Sequence, residues 1–496
     1  MSKINIRGRN TTKTTNYEAG ESYNLSPKAE LLHLTTTCLF REPKFYGTVD
    51  EQEKKINLAI QKVASKDPKF ILQLANYLRN EQYMRSVSTY LLVTAANIPV
   101  CKPYVHKYTP KILNRADEIN ESLAMHLELF ATDGKKGIPN SLKKGIIDTF
   151  SKFDEYQFSK YNRKGIVTFK DAIMLTHPKE PSQVIKKILD DNLKTPYTWE
   201  TELSEKGNKP EVWERLIDSG KLPYMATLRN LRNILESGVS PEHINRVANF
   251  IKDPQKVRYS KQFPFRFLSA YKQLEHVSSP YTSKFIDAVE FALEESFYNI
   301  PHLPGTTFIA SDVSGSMSWT SLSKNSSIVP AEVGLVLSAG LHKFTDNGLF
   351  GLFAEQWKTV QLPKSASILQ NVDKLSNINV GGSTNGWKAI RYLNDNNIKV
   401  DRIFIFTDCQ LYDDNGWGWG RDHERTIRKE LNIYKQNINP DVKTYVFDLT
   451  GYGTVNFPES DRSVAEITGW SDKTFNFIEL MEKDHNAQIK YIEEKY

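Results

Sequence analysis

The feature that most limits how this chain can fold is a change of hydrophobic period near residue 305. Before it, apolar residues recur at helical spacing. Ile56, Ala59, Ile60 and Val63 fall at i, i+3, i+4 and i+7, one face of a helix. "KDP" breaks that pattern and sets Pro68 at a first helical position, after which Ile71, Leu74, Ala75 and Leu78 repeat it. "SVSTYLLVTAA", "VWERLI", "YMATLRNLRNILESG" and "SKFIDAVEFALEES" continue in kind. After residue 305 come short β-branched and aromatic runs, "TTFIA", "GLFGLFA", "DRIFIFTD" and "KTYVFDLT". Helical patterns such as "PAEVGLVLSAGLHKF" and "HERTIRKELNIYKQ" lie between them. Strands alternating with helices imply a mostly parallel sheet covered on both faces. The earlier helices, joined by short breaks, fit an α-solenoid of stacked pairs or an irregular bundle. The expected fold is multidomain, helical first and α/β second.

Length agrees, because 496 residues allow about two to four domains. Charge divides at the same place. Of a net +6, residues 1–300 carry 45 Lys/Arg against 35 Asp/Glu (+10), and the remainder 20 against 24 (−4). The basic excess lies in the helical part, which suits a polyanion such as RNA; a solvated surface gives the same excess. No apolar run approaches the roughly 18 to 20 residues that span a bilayer. The opening "MSKINIRGRNTTKTTN" has no apolar core of a secretory signal and reads as a flexible basic arm over residues 1–20. Three cysteines (Cys38, Cys101, Cys409) are too few and scattered for a disulfide framework or a Cys-rich zinc module. A cytoplasmic, reduced protein is expected.

"SDVSGSM", residues 311–317, sits where the run Thr307 to Ala310 ends, the kind of place where α/β sheets bind ligands. A nucleophile elbow needs G-x-S-x-G, but Ser314 follows Asp312 and Val313. The phosphate-loop pattern G-x-x-x-x-G-K-[ST] is absent. Aspartyl phosphatase chemistry pairs two carboxylates in one short loop, whereas position 314 is Ser. Asp312, Ser314 and Ser316 do offer hard oxygens that a turn at Gly315 can converge, as Mg²⁺, Mn²⁺ or Ca²⁺ require. Three oxygens do not complete such a shell. Thr384 in "GGSTNG" and Asp408 in "FTDCQ" follow other strand-like runs and supply more. A solvated turn capped by Asp and Ser would carry the same first motif.

The trio of D-x-S-x-S, a Gly-rich loop with Thr, and Thr-Asp after a strand resembles the metal-ion-dependent adhesion site of von Willebrand factor type A domains. The resemblance covers roughly residues 300–496 and implies a doubly wound, Rossmann-like domain. It implies that Ser314 and Ser316 hold the ion directly, that Asp312 and Asp408 act largely through water, and that Thr384 joins with the liganded state. It leaves one position for a partner's acidic group. The usual Gly after the final Asp is Cys409 here, so the last loop, with its "NGWGWG", is expected to differ.

The helical part resembles the TROVE module of the Ro autoantigen family. The resemblance is carried by "YLRNEQYMRSVSTYLLVTAANI" (77–98), "SKYNRKGIVTFKDAIMLTHPK" (159–179), "EVWERLIDSGKLPYMATLRNLRNI" (211–234) and "FPFRFLSAYKQ" (263–273). It implies a TROVE-like module at 21–300, of HEAT-like repeats closed into a ring, followed by the type A domain at 301–496. It further implies a monomer that binds small non-coding, Y-like RNA on a basic outer surface and single-stranded 3′ ends of misfolded RNA in the ring. Lys160, Lys164 and His177 match family positions that contact such RNA. Arg163 joins that cluster, Arg229 and Arg232 are candidates to line the ring, and Arg79 and Arg85 are weaker ones. The function expected is non-catalytic RNA binding in quality control or ribonucleoprotein assembly. An exoribonuclease or other protein would engage the metal site. A metal-dependent protein scaffold, with helices that bind protein, is the alternative. No base, nucleophile and orienting group converge by spacing, so no enzyme is expected.

Overall fold

Within "RIFIFT" the side chains alternate: Ile403 and Ile405 enter one apolar cluster, while Phe404 and Phe406 stack on Tyr445 and Phe447 on the other face. Both faces are therefore buried. This is what a central strand of a covered sheet requires.

The computed structural model describes residues 12–496 apart from 39, 43, 132–136, 299, 414–424, 472–473, 476 and 479–486. Its strands are β1 (Lys13–Thr15), β2 (Glu21–Asn24), β3 (Leu303–Asp312), β4 (Thr345–Phe353), β5 (Trp357–Val360), β6 (Arg402–Thr407), β7 (Lys443–Asp448), β8 (Thr454–Val455) and β9 (Val464–Thr468). Six form one sheet in the order β5-β4-β3-β6-β7-β9, parallel throughout except for β5. The chain goes from β3 to β4 on one side and later returns to β6 on the other. The order therefore reverses between β3 and β6, the crevice where such sheets bind ligands. Helices Trp387–Asp395 and Ile427–Asn437 cover one face through Ala389, Ile390, Leu393, Leu431 and Tyr434. Helix Pro330–Lys343 covers the other, with Gly334 against Leu449 and Phe406 and Ser338 bonded to Ser311 (2.8 Å).

The chain divides into two compact units. One comprises Met1–Ile56, Pro223–Glu236 and Ser240–Lys490; the other comprises Asn57–Leu222, Ser237–Val239 and Tyr491–Tyr496. The sheet lies in the first. Helices Pro264–Leu274 and Thr282–Glu295 share it, tied by the ion pairs Lys272–Glu332 and Lys343–Glu294 and by Phe263 and Phe265 against Trp470. From Thr12 onward the expected flexible arm is ordered instead. β1 pairs with β2, and β2 with β8, in a small antiparallel sheet. A turn over residues 16–20, closed by the Asn16 N–H donating to the Gly20 carbonyl (3.1 Å), joins β1 to β2, and a side chain at Gly20 would collide with the Leu411 carbonyl. Residues 1–11 of the arm lie outside the described residues, as does "NGWGWG".

The second unit is helical. Asp67 caps the Phe70 N–H, Pro68 opens helix Pro68–Asn80, and the expected Ile71, Leu74, Ala75 and Leu78 are fully buried. That helix packs on Arg85–Asn97, and both pack on Lys102–Ile112, which in turn meets Asn140–Phe150. Ala116–Phe130 meets Glu155–Tyr161 and Phe169–Thr176. Each helix touches its near neighbours in sequence, as stacked helical repeats do. Among the described residues no helix is long and apolar enough to cross a membrane.

Candidate metal centre and RNA surface

Three loops meet at the C-terminal ends of β3, β4 and β6. They are laced by backbone hydrogen bonds: the Gly315 N–H donates to the Gly382 carbonyl (3.0 Å), and the Tyr412 N–H to the Thr384 carbonyl (2.8 Å). The exposed Trp319 ring lies over Gly315, 2.9 Å from where a Cβ would stand, so a side chain there would push the ring aside. Thr384 is buried whereas Ser383 is exposed, which favours Thr384 as the inward oxygen.

The lacing brings the motif residues together. The Ser314 N–H donates to Asp312 Oδ1 (2.9 Å), the Thr407 hydroxyl to Asp312 Oδ2 (2.7 Å), and the Ser314 and Ser316 hydroxyls are 3.3 Å apart. The Gln410 N–H donates to Asp408 Oδ1 (2.9 Å), while Asp408 Oδ2 is buried with no hydrogen-bond partner among the described residues. Burial pushes both carboxyls above the usual range, and Asp408 further because the Asp312 carboxylate stands beside it. Two buried acids, one with an orphaned oxygen, beside two hydroxyls make a set that a hard divalent cation satisfies. Among the described residues no three of His, Cys, Asp and Glu cluster as metal ligands, so the donors here are hydroxyls as much as carboxylates. The residues fit Mg²⁺, with Mn²⁺ or Ca²⁺ as alternatives. Cys409, where glycine was expected, has φ 60° and is fully buried. The loop keeps a left-handed turn despite the side chain.

Several neighbours carry no signal at the level of sequence. Asp448, at the end of β7, accepts from the Thr450 and Gly451 N–H groups and lies 3.0 Å from His33 Nδ1. Tyr46 hydrogen-bonds to Glu18, and Ser316 and Asp408 both act on its phenol. Residues 18 and 46 are hundreds of positions from the motif they meet. Only the folded chain reveals the pairing.

The expected RNA residues fall in both units. In the helical unit Lys160 ends helix Glu155–Tyr161, its Nζ 5.5 Å from the Tyr161 ring centre. Arg163 and Lys164 are exposed in the following loop. A capping box, Thr168 with Asp171, starts helix Phe169–Thr176, and His177 ends it at φ 54°, exposed. In the same stretch of chain Tyr156, Ile166 and Met174 are 50%, 78% and 61% exposed, apolar faces that the charge pattern alone does not predict. Arg79 and Arg85 are engaged internally, with Glu118 (2.7 Å) and with Glu121 (3.0 Å).

Arg229 and Arg232 lie in the sheet-containing unit, and not on one helix as the spacing suggested. At Asn230 (φ −108°) the chain breaks into Tyr224–Arg229 and Leu231–Ser237, and both the Asn230 side chain (2.8 Å) and its backbone N–H (3.1 Å) donate to the Ala226 carbonyl. Arg232 is 3.7 Å from Glu236 and bonds to Gln273. Arg229 stands by Arg266, whose guanidinium burial and that neighbouring charge hold below its usual range. No carboxylate pairs with Arg229 or Arg266 among the described residues.

Comparison with known proteins identifies the two parts of the chain. Residues 18–191 and 191–285 match the TROVE domain, and residues 306–481 the Ro60 vWA domain. The chain is similar to Telomerase protein component 1 of Rattus norvegicus, 27% identical over 341 residues, which cover 52% of this chain and 13% of that one. It is also similar to RNA-binding protein RO60 of Caenorhabditis elegans, 27% identical over 53% of this chain and 40% of that one. RNA-binding protein RO60 of Deinococcus radiodurans is 23% identical over 52% and 49%. The chain thus spans half or less of the curated relatives it matches. In fold it resembles the crystal structure of the Deinococcus radiodurans RO (RSR) protein, with TM-score 0.60 and 17% identity over 95% of this chain and 100% of that one.

Proposed function

Because the chain belongs to the TROVE-domain family and carries a Ro60-type von Willebrand A domain after that module, we propose that it is a non-catalytic RNA-binding protein. Its ligands in this reading are small structured, Y-like RNA and the single-stranded 3′ ends of misfolded RNA, held as part of quality control or ribonucleoprotein assembly. The observation that carries it is the surface from Tyr156 to His177. There Lys160, Arg163, Lys164 and His177 share one short stretch of chain with exposed Tyr156, Ile166 and Met174. Lys and Arg neutralise phosphates, and exposed aromatic or apolar faces receive unstacked bases, each worth about 1–3 kcal/mol where aromatic. Two named relatives are RNA-binding proteins.

A divalent ion, Mg²⁺ above all, would be held by Asp312, Ser314, Ser316, Thr384 and Asp408, and would supply a Lewis-acidic position for a carboxylate of a protein partner such as an exoribonuclease. The buried, unpartnered Asp408 Oδ2 supports that part. Three buried free thiols suit the reducing cytoplasm, and the chain acts as a monomer.

A gel-shift with a small structured RNA bearing a free 3′ tail tests the RNA reading. Lys160→Glu/Lys164→Glu should lose at least about tenfold in affinity and flatten the salt dependence by about two phosphate contacts, while Asp312→Ala binds as before. RNA held equally at low and high salt, or lost only in Asp312→Ala, would instead favour a metal-dependent protein scaffold.

A further inference from the structure

The oxygen cluster is closed on the sheet side by the strand ends that carry it. What stands on its other side comes from the far N-terminal part of the same compact unit. Asn16 organises the approach. Its Oδ1 accepts from the Glu18 N–H (3.0 Å) and the Gly20 N–H (2.8 Å), and its Nδ2 donates to the Leu411 carbonyl (2.7 Å). The Tyr17 N–H donates to Gln410 Oε1 (2.9 Å), and the Gln410 N–H in turn holds Asp408 Oδ1. The ring of Tyr17 stacks on that of Tyr46 with centroids 5.0 Å apart and planes 8° from parallel. Tyr452 meets both edge-on, and its hydroxyl accepts from the Tyr46 N–H (3.3 Å). Two turns of chain are thus fastened to the third ion loop and to each other.

A second fastening runs to the first ion loop. The Lys324 N–H donates to Glu42 Oε2 (2.9 Å), and Phe45 packs on Trp319 at 6.0 Å. A cavity beside Ser316 is walled by Glu42, Lys44 and Phe45 from the N-terminal segment and by Tyr452 and Trp470. The Tyr46 hydroxyl donates to Glu18 Oε1, within the influence of Ser316 and Asp408. The outcome is a phenol, hydrogen-bonded to a carboxylate, that stands close enough to Ser316 and Asp408, two of the five ion-site residues, to feel both.

We propose that the chain covers its own ion site: Tyr46, backed by Glu18, occupies the side from which an outside carboxylate would reach the ion, so that an acidic partner must displace this pair to bind. The inference rests on reading the five oxygens as a divalent-ion site. A carboxylate ligand and Glu18 compete for the same ground, with Tyr46 as the hydrogen-bond donor that holds Glu18 there. The Tyr17–Gln410–Asp408 chain gives the coupling a physical path. Withdrawing the N-terminal segment removes the bond to Gln410 Oε1 and leaves that side chain held only through its Nε2, which donates to the Asp408 carbonyl (3.3 Å).

Mn²⁺ serves as probe on the full chain, with affinity from the loss of the free-ion electron spin resonance signal and solvent access from water-proton relaxation per bound ion. A hard ion keeps whatever waters its site leaves room for, so the covered ion should relax water weakly. Glu18→Gln, and separately Tyr46→Ala, should raise the relaxation per bound ion about twofold or more. Asp312→Ala should bind no Mn²⁺. Equal relaxation in the wild type and both variants, with Mn²⁺ bound, overturns the cover and leaves the ion site standing. Failure of the wild type and variants alike to bind Mn²⁺, or undiminished binding by Asp312→Ala, overturns the ion site and the cover together. Glu18→Gln removes only a charge, so the test survives a Tyr46→Ala chain that does not fold.

Discussion

Thr407 Oγ1 donates to Asp312 Oδ2 at 2.7 Å, so the residue that ends β6 holds the acid that ends β3. The bond crosses the sheet at the point where the strand order reverses. Thr407→Val keeps the shape and leaves a buried carboxylate oxygen unsatisfied. The ion-free protein should lose about 1–3 kcal/mol in urea unfolding, and ion affinity by calorimetry should fall about tenfold or more. A Val variant as stable and as ion-competent as the parent would show the bond to be incidental.

Asp408 sets up an opposite pair of effects. Asp408→Asn removes a buried charge beside Asp312, so the ion-free variant should melt above the wild type. Mg²⁺ at about 100 times its dissociation constant should stabilise the wild type by about 2.7 kcal/mol and leave the variant unmoved. Equal Mg²⁺-induced melting shifts in both proteins would place the ion elsewhere.

For the arginines the structure predicts an order. Arg229 and Arg266 have no carboxylate partner among the described residues, whereas Arg232 is shared with Glu236 and Gln273. If these groups meet phosphate, Arg229→Gln and Arg266→Gln should each reduce the slope of log affinity against log salt by about 1. Arg232→Gln should change it less. Filter binding across a salt series reads all three, and an inverted order would remove this patch from the RNA surface.

Glu81 gives the helical unit an acid-sensitive tie. Burial alone would raise its carboxyl, but hydrogen bonds from Lys495, Tyr491 and Tyr496 hold it below its ordinary 4.5. A depressed carboxylate contributes stability above its unfolded value, and that share drains away as pH falls below about 4.5 toward the folded value. The share is below about 1 kcal/mol once solvent screening is allowed for. Glu81→Gln should therefore flatten the stability–pH curve in that window and leave its shape near neutrality unchanged. An unaltered acid limb in the variant would remove Glu81 from the account.

Cys409 tests how much a left-handed turn tolerates a side chain. Cys409→Gly relieves about 1–2 kcal/mol of backbone cost and gives up a buried thiol of similar worth, so its melting point should barely move. Cys409→Val puts a β-branched residue at φ 60° and should cost about 2 kcal/mol or more.

What the sequence made legible were the parts that act locally. Pro68 and Asp67 mark a helix start by their own chemistry, and Ile403 to Phe406 announce a strand buried on both faces. Asp312, Ser314 and Ser316 were readable because one short loop carries all three. Asn230 was harder: one residue at φ −108° divides a helix whose apolar spacing runs straight through it. β1, β2, β5, β8 and β9 are two to five residues long, too short to show a period. Glu18, Tyr46 and Asp448 were not legible at all, because their roles depend on chain segments brought together only by tertiary packing.

The small sheet of β1, β2 and β8 joins Tyr23 to Val455. On the ribosome, that pairing has to wait until more than four hundred further residues have been made. Asn57–Leu222, by contrast, contacts mostly its near neighbours and emerges as a nearly continuous piece, able to condense early. The segment that ends up over the ion loops thus precedes its partners in synthesis and is seated only after they are made. Until then the faces that Tyr23 and Leu25 bury in the fold stay in solvent, which adds to the aggregation risk of the nascent chain.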